Sequence, residues 1–314
     1  MCIVMFLNIH IGYCLTCEYF DWMCSTSCLI SHESIYIYDL ENKLKYVMVS
    51  YNKLYCGAMK VYRSILLLFC CKFLHTLALD CSVMNGNLKQ IDAGSGSVVG
   101  VNNNNEAFVL IDNVFTKISK SLKHFSVGPA GQLGVDSSYN IFKLKSGSFV
   151  KFPGLLKQVD AGGDQILAGV NKNDQIYCVN MDANNNWPSC NSPWVNLNGG
   201  LKYYSCGPYS CWGVSGDDKI WIMKDVSNNV CSGAGTFVNI DGFLSMIEVA
   251  TDGSVFGINS NGMLYQRIGV TRSNPSGTKW QVMSACPNKH KHVSFDLGVL
   301  WVVCVDGSIR KCTI

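Results

Sequence analysis

From Leu88 to its C-terminus the chain repeats itself six times, and a repeat of this length leaves few folds open. One copy reads LKQVDAGGDQILAGVNKNDQIYCVN from Leu156. It recurs as LKQIDAGSGSVVGVNNNNEAFVL from Leu88 and LKHFSVGPAGQLGVDSSYNIFKL from Leu122. Later copies are LKYYSCGPYSCWGVSGDDKIWIM from Leu201 and LSMIEVATDGSVFGINSNGMLYQ from Leu244. A more diverged sixth, HVSFDLGVLWVVCVDGSIRKC, starts at His292. One glycine marks each copy, at Gly100, Gly134, Gly169, Gly213 and Gly257, with Val302 in its place in the last. The spacings are therefore 34, 35, 44, 44 and 45 residues.

Each copy holds three short β-prone runs separated by glycine and Asn/Asp turns. A fourth run, aromatic-x-x-aliphatic, precedes the next copy at Phe115–Ile118, Phe149–Phe152, Trp194–Leu197, Phe237–Ile240 and Trp280–Met283. Four strands at a period near 40 predict the blade of a β-propeller, and no 3.6-residue periodicity supports a helical solenoid. The predicted fold class is all-β: a six-bladed β-propeller with four antiparallel strands per blade. The last copy stops at Ile314 without a fourth strand, while Cys81–Gly86 stands in the fourth-strand position before Leu88. The first strand of the repeat region is thus expected to complete the last blade and cover both sheet edges.

Residues 59–80 read MKVYRSILLLFCCKFLHTLALD, with a basic start at Lys60 and Arg63 and an apolar run from Ile65 to Cys71. Thr76 and Ala78 occupy the small-residue positions of a cleavage site. This predicts a signal peptide over 59–78 and a propeller over 79–314. Lys72 breaks the run well short of the roughly 20 apolar residues of a membrane-spanning helix. Residues 1–58 hold six cysteines and none of the repeat; they are expected to be upstream sequence outside the native protein. A formal net charge of +3 gives no basis for a nucleic-acid partner.

The stretch WVNLNGGLKYYSCGPYSCWGVSGDDKIW, from Trp194 to Trp221, resembles the tectonin repeat family of β-propeller lectins. The resemblance covers residues 79–314. It implies a secreted, non-enzymatic carbohydrate-binding protein of innate defence that requires no cofactor. The implied partners are N-acetylglucosamine-type glycans of microbial or egg surfaces. A non-enzymatic scaffold that binds proteins is the alternative.

Nine cysteines follow residue 79. Blade geometry places Cys81 beside Cys312 across the closing strand, Cys206 beside Cys211 across a hairpin, and Cys286 near Cys304 in the last blade. Cys178 is expected to pair with Cys231, leaving Cys190 free; Cys178 with Cys190 is the other arrangement.

No sialidase-type Ser-x-Asp-x-Gly-x-x-Trp box, HExxH or GxSxG appears in the chain. His290 and His292 flank Lys291 in what reads as a solvated turn. Candidate sugar ligands are the turn residues Asn102, Asp136, Asn171, Asp174, Asp218 and Asn259, whose side chains suit sugar hydroxyls but also build turns. Trp187 joins them as a stacking surface in a loop found in one blade only. One position of the first strand reads Asp92, Ser126, Asp160, Ser205, Glu248 and Ser294 through the six copies. If it faces the axis, Asp92, Asp160 and Glu248 repel one another there, and a calcium ion in the central channel is expected to relieve them.

Overall fold

The computed structural model describes residues 77–182, 186–187 and 194–314, together with strand pairing between Tyr36–Tyr38 and Leu44–Tyr46. The chain divides into two units, Met1–Leu74 and His75–Ile314. Apart from that pairing, the predicted upstream segment 1–58 and signal peptide 59–78 lie outside the described residues up to residue 76.

The second unit forms the predicted ring. Its innermost strands are Gln90–Gly94, His124–Gly128, Gln158–Asp160, Tyr203–Cys206, Met246–Val249 and His290–Asp296. Each starts a four-stranded antiparallel sheet whose strands follow in chain order outwards. These six strands contact one another around the axis, including the last with the first. The sixth sheet is completed from the N-terminal side: Asp80–Met84 pairs antiparallel with Ile309–Thr313, with Cys81 opposite Cys312. Leu77–Ala78 adds two residues in parallel to the edge of the fifth sheet, opposite Met283–Ser284. Among the described residues no helix is long and apolar enough to cross a membrane.

The core is divided among the blade junctions, because neighbouring sheets bury apolar faces against each other. The leucine that opens each copy, Leu88, Leu122, Leu156, Leu201 or Leu244, is almost fully buried. The marker glycines make room for it. A Cβ on Gly134 or Gly213 would lie 2.4 Å from Cδ1 of Leu122 or Leu201, respectively. In the sixth blade His290 replaces the leucine and Val302 replaces the glycine. His290 turns its Nε2 to the backbone N–H groups of Ala285 and Cys286, both at 3.1 Å. The solvated turn expected at His290 and His292 is therefore incorrect. Both histidines are buried, on the innermost strand of the last blade.

Four disulfides join Cys81 to Cys312, Cys178 to Cys231, Cys206 to Cys211 and Cys286 to Cys304. Cys190 lies outside the described residues.

Candidate functional site

Two regions gather polar and aromatic chemistry, the central channel and the clefts between blades.

In the channel, the position read as Asp92, Ser126, Asp160, Ser205, Glu248 and Ser294 is buried in every blade. It latches each blade to the next. Asp92 Oδ2 accepts from the Val127 N–H, Ser126 Oγ from Ala161, Asp160 Oδ2 from Cys206, Ser205 Oγ from Val249 and Ser294 Oγ from Ala93, all at 2.9 Å. Glu248, one methylene longer, breaks the pattern. Its carboxylate turns back to blade four, accepting from Ser205 Oγ at 2.8 Å and Tyr203 OH at 2.5 Å. The junction of blades five and six is held instead by Asp296, which accepts from Thr251 Oγ1 at 2.5 Å and also, across to blade one, from the Gly96 N–H at 2.7 Å.

Burial raises the Asp92 carboxyl to about 6 against the hydrogen bonds that favour its ionised form. Burial, then the charge of Asp92, raises Asp160 to about 8. Glu248 is pushed well above the carboxylate range, first by burial and then by Asp92 and Asp160. Among the described residues no group of three His, Cys, Asp or Glu stands at metal-holding spacing. The three acids expected to hold calcium therefore do not form a cage by themselves, and a cation there needs main-chain oxygens or water as well.

One layer nearer the channel mouth, blades two, four and six send His124, Tyr203 and His292 to the axis. The tyrosine hydroxyl lies 3.2 Å from Nε2 of each imidazole and donates to Glu248. These side chains plug the channel. Burial lowers both imidazoles to about 3, so they are neutral. Gln90 and Gln158, in the same layer, each bond both the N–H and the carbonyl of a residue in the next blade.

The clefts open on the face that carries the turns between second and third strands. Between blades three and four a cleft of about 480 Å³ is walled by Ile176, Asn198–Leu201, Trp221 and Phe237, with Ser215, Asp217 and Lys219 at its polar edge. Trp221 Nε1 donates to Ser215 Oγ at 3.3 Å, and Ser215 Oγ donates to Asp217 Oδ1 at 2.5 Å. Lys219, 2.7 Å from Asp217, and Ser215 hold that carboxyl down at about 2, so it accepts hydrogen bonds at any physiological pH. The cleft thus offers half-buried aromatic rings beside a fixed carboxylate, an ammonium and an amide.

Between blades four and five the equivalent positions, Ile220, Gly242, Leu244, Tyr265 and Trp280, line a smaller cleft of about 250 Å³. Gly199 and Gly242, both at φ 117°, turn the outer strand at these mouths. Between blades two and three the corresponding Gly154 meets Trp194, whose Nε1 donates to Pro153 O at 2.7 Å. There the indole fills the space that Phe237 leaves open.

The Asn and Asp candidates lie on the same face but are occupied by turn building. Asn102 Oδ1 accepts from the N–H groups of Asn104 and Glu106, and Asp136, Asn171 and Asn259 repeat that arrangement. Asp174 and Asp218 sit at positive φ and pair with Lys157 and Lys202. Trp187 packs edge-on against Phe152, with Lys143 Nζ 4.2 Å from its ring centroid. Trp221, Phe237, Tyr265 and Trp280 were not singled out from sequence, because repeat positions within strands read as packing. The glycine two residues before Leu156, Leu201 and Leu244 was the available signal.

The tectonin domain family matches residues 87–305. The fish-egg lectin of Cyprinus carpio is 78% identical over 234 residues, 74% of this chain and 98% of that protein. A tectonin β-propeller repeat-containing protein of Drosophila melanogaster is 31% identical over 108 residues, 32% of this chain and 8% of that protein. Among solved structures, the gluconolactonase XC5397 of Xanthomonas campestris aligns with a TM-score of 0.53 at 9% identity, over 73% of this chain and 86% of its own. U3-55K aligns with a TM-score of 0.50 at 8% identity, over 75% of this chain and 98% of its own. At such identities the likeness is one of fold alone. With its six repeats, its ring and the match over residues 87–305, the chain belongs to the tectonin family.

Proposed function

We propose that this protein is a secreted, non-catalytic lectin that binds N-acetylglucosamine-type glycans of microbial or egg surfaces in innate defence. The observation that carries the reading is the cleft between blades three and four, where Trp221 and Phe237 stand beside Asp217 and Asn198. A pyranose has an apolar face that packs on an aromatic ring and hydroxyls that both donate and accept. The ionised Asp217 accepts from hydroxyls, and the Asn198 amide serves an acetamido group as donor or acceptor. The carp lectin, alike over nearly its whole length, supports the ligand class. Four disulfides and the signal-peptide pattern at 59–78 support an oxidising, extracellular setting. Several weak clefts on one ring gain avidity on a glycan-covered surface.

The test is retention on immobilised N-acetylglucosamine with the disulfides intact. The double variant Trp221→Ala/Tyr265→Ala is expected to bind at least about tenfold more weakly, about 1.4 kcal/mol, at a temperature where its circular dichroism matches that of the unaltered protein. Failure of the unaltered protein to bind any glycan returns the protein-binding scaffold.

A channel cation is a separate part of this proposal. Asp92, Asp160 and Glu248 are buried acids with no lysine or arginine among their hydrogen-bond partners, and calcium would supply the missing positive charge there.

A further inference from the structure

The residue that precedes the channel-plug layer is lysine in five of the six blades: Lys89, Lys123, Lys157, Lys202 and Lys291, with Ser245 in the fifth. It stands at the outer end of each innermost strand, so these side chains ring one mouth of the channel. Their charges are handled unequally. Every turn between second and third strands ends in a left-handed residue: Asn105, Tyr139, Asp174, Asp218, Gly262 and Gly307. Blades three and four place a carboxylate there, and Asp174 and Asp218 neutralise Lys157 and Lys202. Blades one, two and six do not. Lys89 Nζ donates to the neutral amide oxygen of Asn105 at 2.5 Å, and Lys123 Nζ lies 4.8 Å from the Tyr139 ring centroid. Lys291 is exposed.

Blades six, one and two are consecutive around the ring, so these three ammonium groups form one arc. They are close enough for Lys123 and Lys291 to push the Lys89 pKa down, after burial. The turn carboxylates of these three blades are engaged elsewhere: Glu106 with Lys117 and Asn102, Asp136 with the N–H groups of Ser138 and Asn140, and Asp306 with Ser308. Beneath the arc lies the plug. His124 there is more than nine-tenths buried, and its Nδ1 has no hydrogen-bond partner. Three cations that form no ion pair among the described residues, above a neutral, polar floor, suit an oxyanion.

We propose that Lys89, Lys123 and Lys291 form an oxyanion site at the channel mouth that takes a sulfate, phosphate or carboxylate group carried on a glycan. The arc opens on the same face as the inter-blade clefts, so one glycan chain can place a sugar in a cleft and its charged group over the axis. This extends the lectin reading from neutral to acidic glycans and rests on it.

The experiment compares four probes by titration calorimetry at low and physiological salt: chitotriose, its 6-O-sulfated and 6-O-phosphorylated forms, and a sialylated trisaccharide. The unaltered protein is expected to bind the charged probes at least tenfold more tightly than chitotriose, an advantage that shrinks as salt rises. Their ranking identifies which oxyanion is preferred. Lys89→Ala/Lys123→Ala/Lys291→Ala is expected to erase the advantage while keeping chitotriose affinity and melting temperature; the triple Lys→Arg variant restores it. Equal binding of neutral and charged probes, or a charged advantage that survives the triple Ala variant, overturns the oxyanion site and leaves the lectin standing. Absence of binding to all four probes overturns both. Charged probes bound without chitotriose, and lost in the triple Ala variant, keep the arc and overturn the cleft as a neutral-sugar site.

Discussion

Five of the six blades place a glycine where a methyl group has no room, and the reason is one leucine. Gly213 faces Cδ1 of Leu201 at a distance of 2.4 Å from where its Cβ would stand, with Tyr203 O at 2.8 Å. Backbone cannot retreat as a flexible side chain can, so Gly213→Ala must push the inner strand and the leucine apart. Overpacking of this kind costs roughly 1–3 kcal/mol. Gly216, in the exposed turn three residues on, meets nothing within 4 Å. Urea denaturation is expected to show Gly213→Ala destabilised by more than about 1 kcal/mol and Gly216→Ala by less than about 0.5 kcal/mol. Equal effects would mean that spacing, not contact, fixes the marker glycine. The exchange in blade six fits the contact: where His290 takes the place of the leucine and swings away, Val302 occupies the glycine position. That pairing stood in the sequence but is readable only once the leucine and the glycine are known to touch. The histidines read as a turn because the sixth copy lacks the opening leucine that marks the inner strand in the other five.

At the scale of strands, closure of the ring depends on Asp80–Met84, the only described strand of a four-stranded blade taken from the opposite end of the repeat region. It was legible because a missing fourth strand at Ile314 and a surplus one before Leu88 are two halves of one pattern. The Cys81–Cys312 bridge spans 231 residues and the Cys206–Cys211 bridge spans 5. In the chain-entropy model the first removes about 5 kcal/mol of unfolded-state freedom and the second about 2 kcal/mol. Cys81→Ser/Cys312→Ser is therefore expected to lower the urea midpoint more than Cys206→Ala/Cys211→Ala, although both pairs are cross-strand neighbours. The reverse order would show that the closing strand is held by its ladder and not by its crosslink. The clefts were illegible at this scale. Each is made by an outer strand of one blade and two aromatic residues of the next, and a repeat aligns such residues whether they pack or bind.

Over the whole molecule, the channel sets two titrations against each other. Asp92 and Asp160 hold folded values of about 6 and 8, and Glu248 lies well above its ordinary value. A carboxyl raised in this way keeps a proton that the unfolded chain loses above about pH 4. Its stabilising contribution is complete below that pH and disappears as pH rises through the folded value. His124 and His292 run the other way. Their folded values near 3 lie below the unfolded value of about 6.5, so acidification through that window favours the unfolded chain. Between about pH 4 and 6 the two sets oppose each other, whereas from about 6.5 to 8 only the carboxyls remain. In buffer containing a calcium chelator, the melting temperature is expected to fall from pH 6.5 to 8, and Asp160→Asn is expected to flatten that fall. Added calcium should restore more stability at pH 8 than at pH 6, because protons and cation compete for the same oxygens. A melting temperature indifferent to calcium at both pH values would leave the acids as blade latches alone. The alternation of acid and serine at this position was visible in the six aligned copies, but its meaning was not. The carboxylates looked like ligands facing a void, whereas Asp92 and Asp160 reach sideways to the next blade and Glu248 reaches back to the one before.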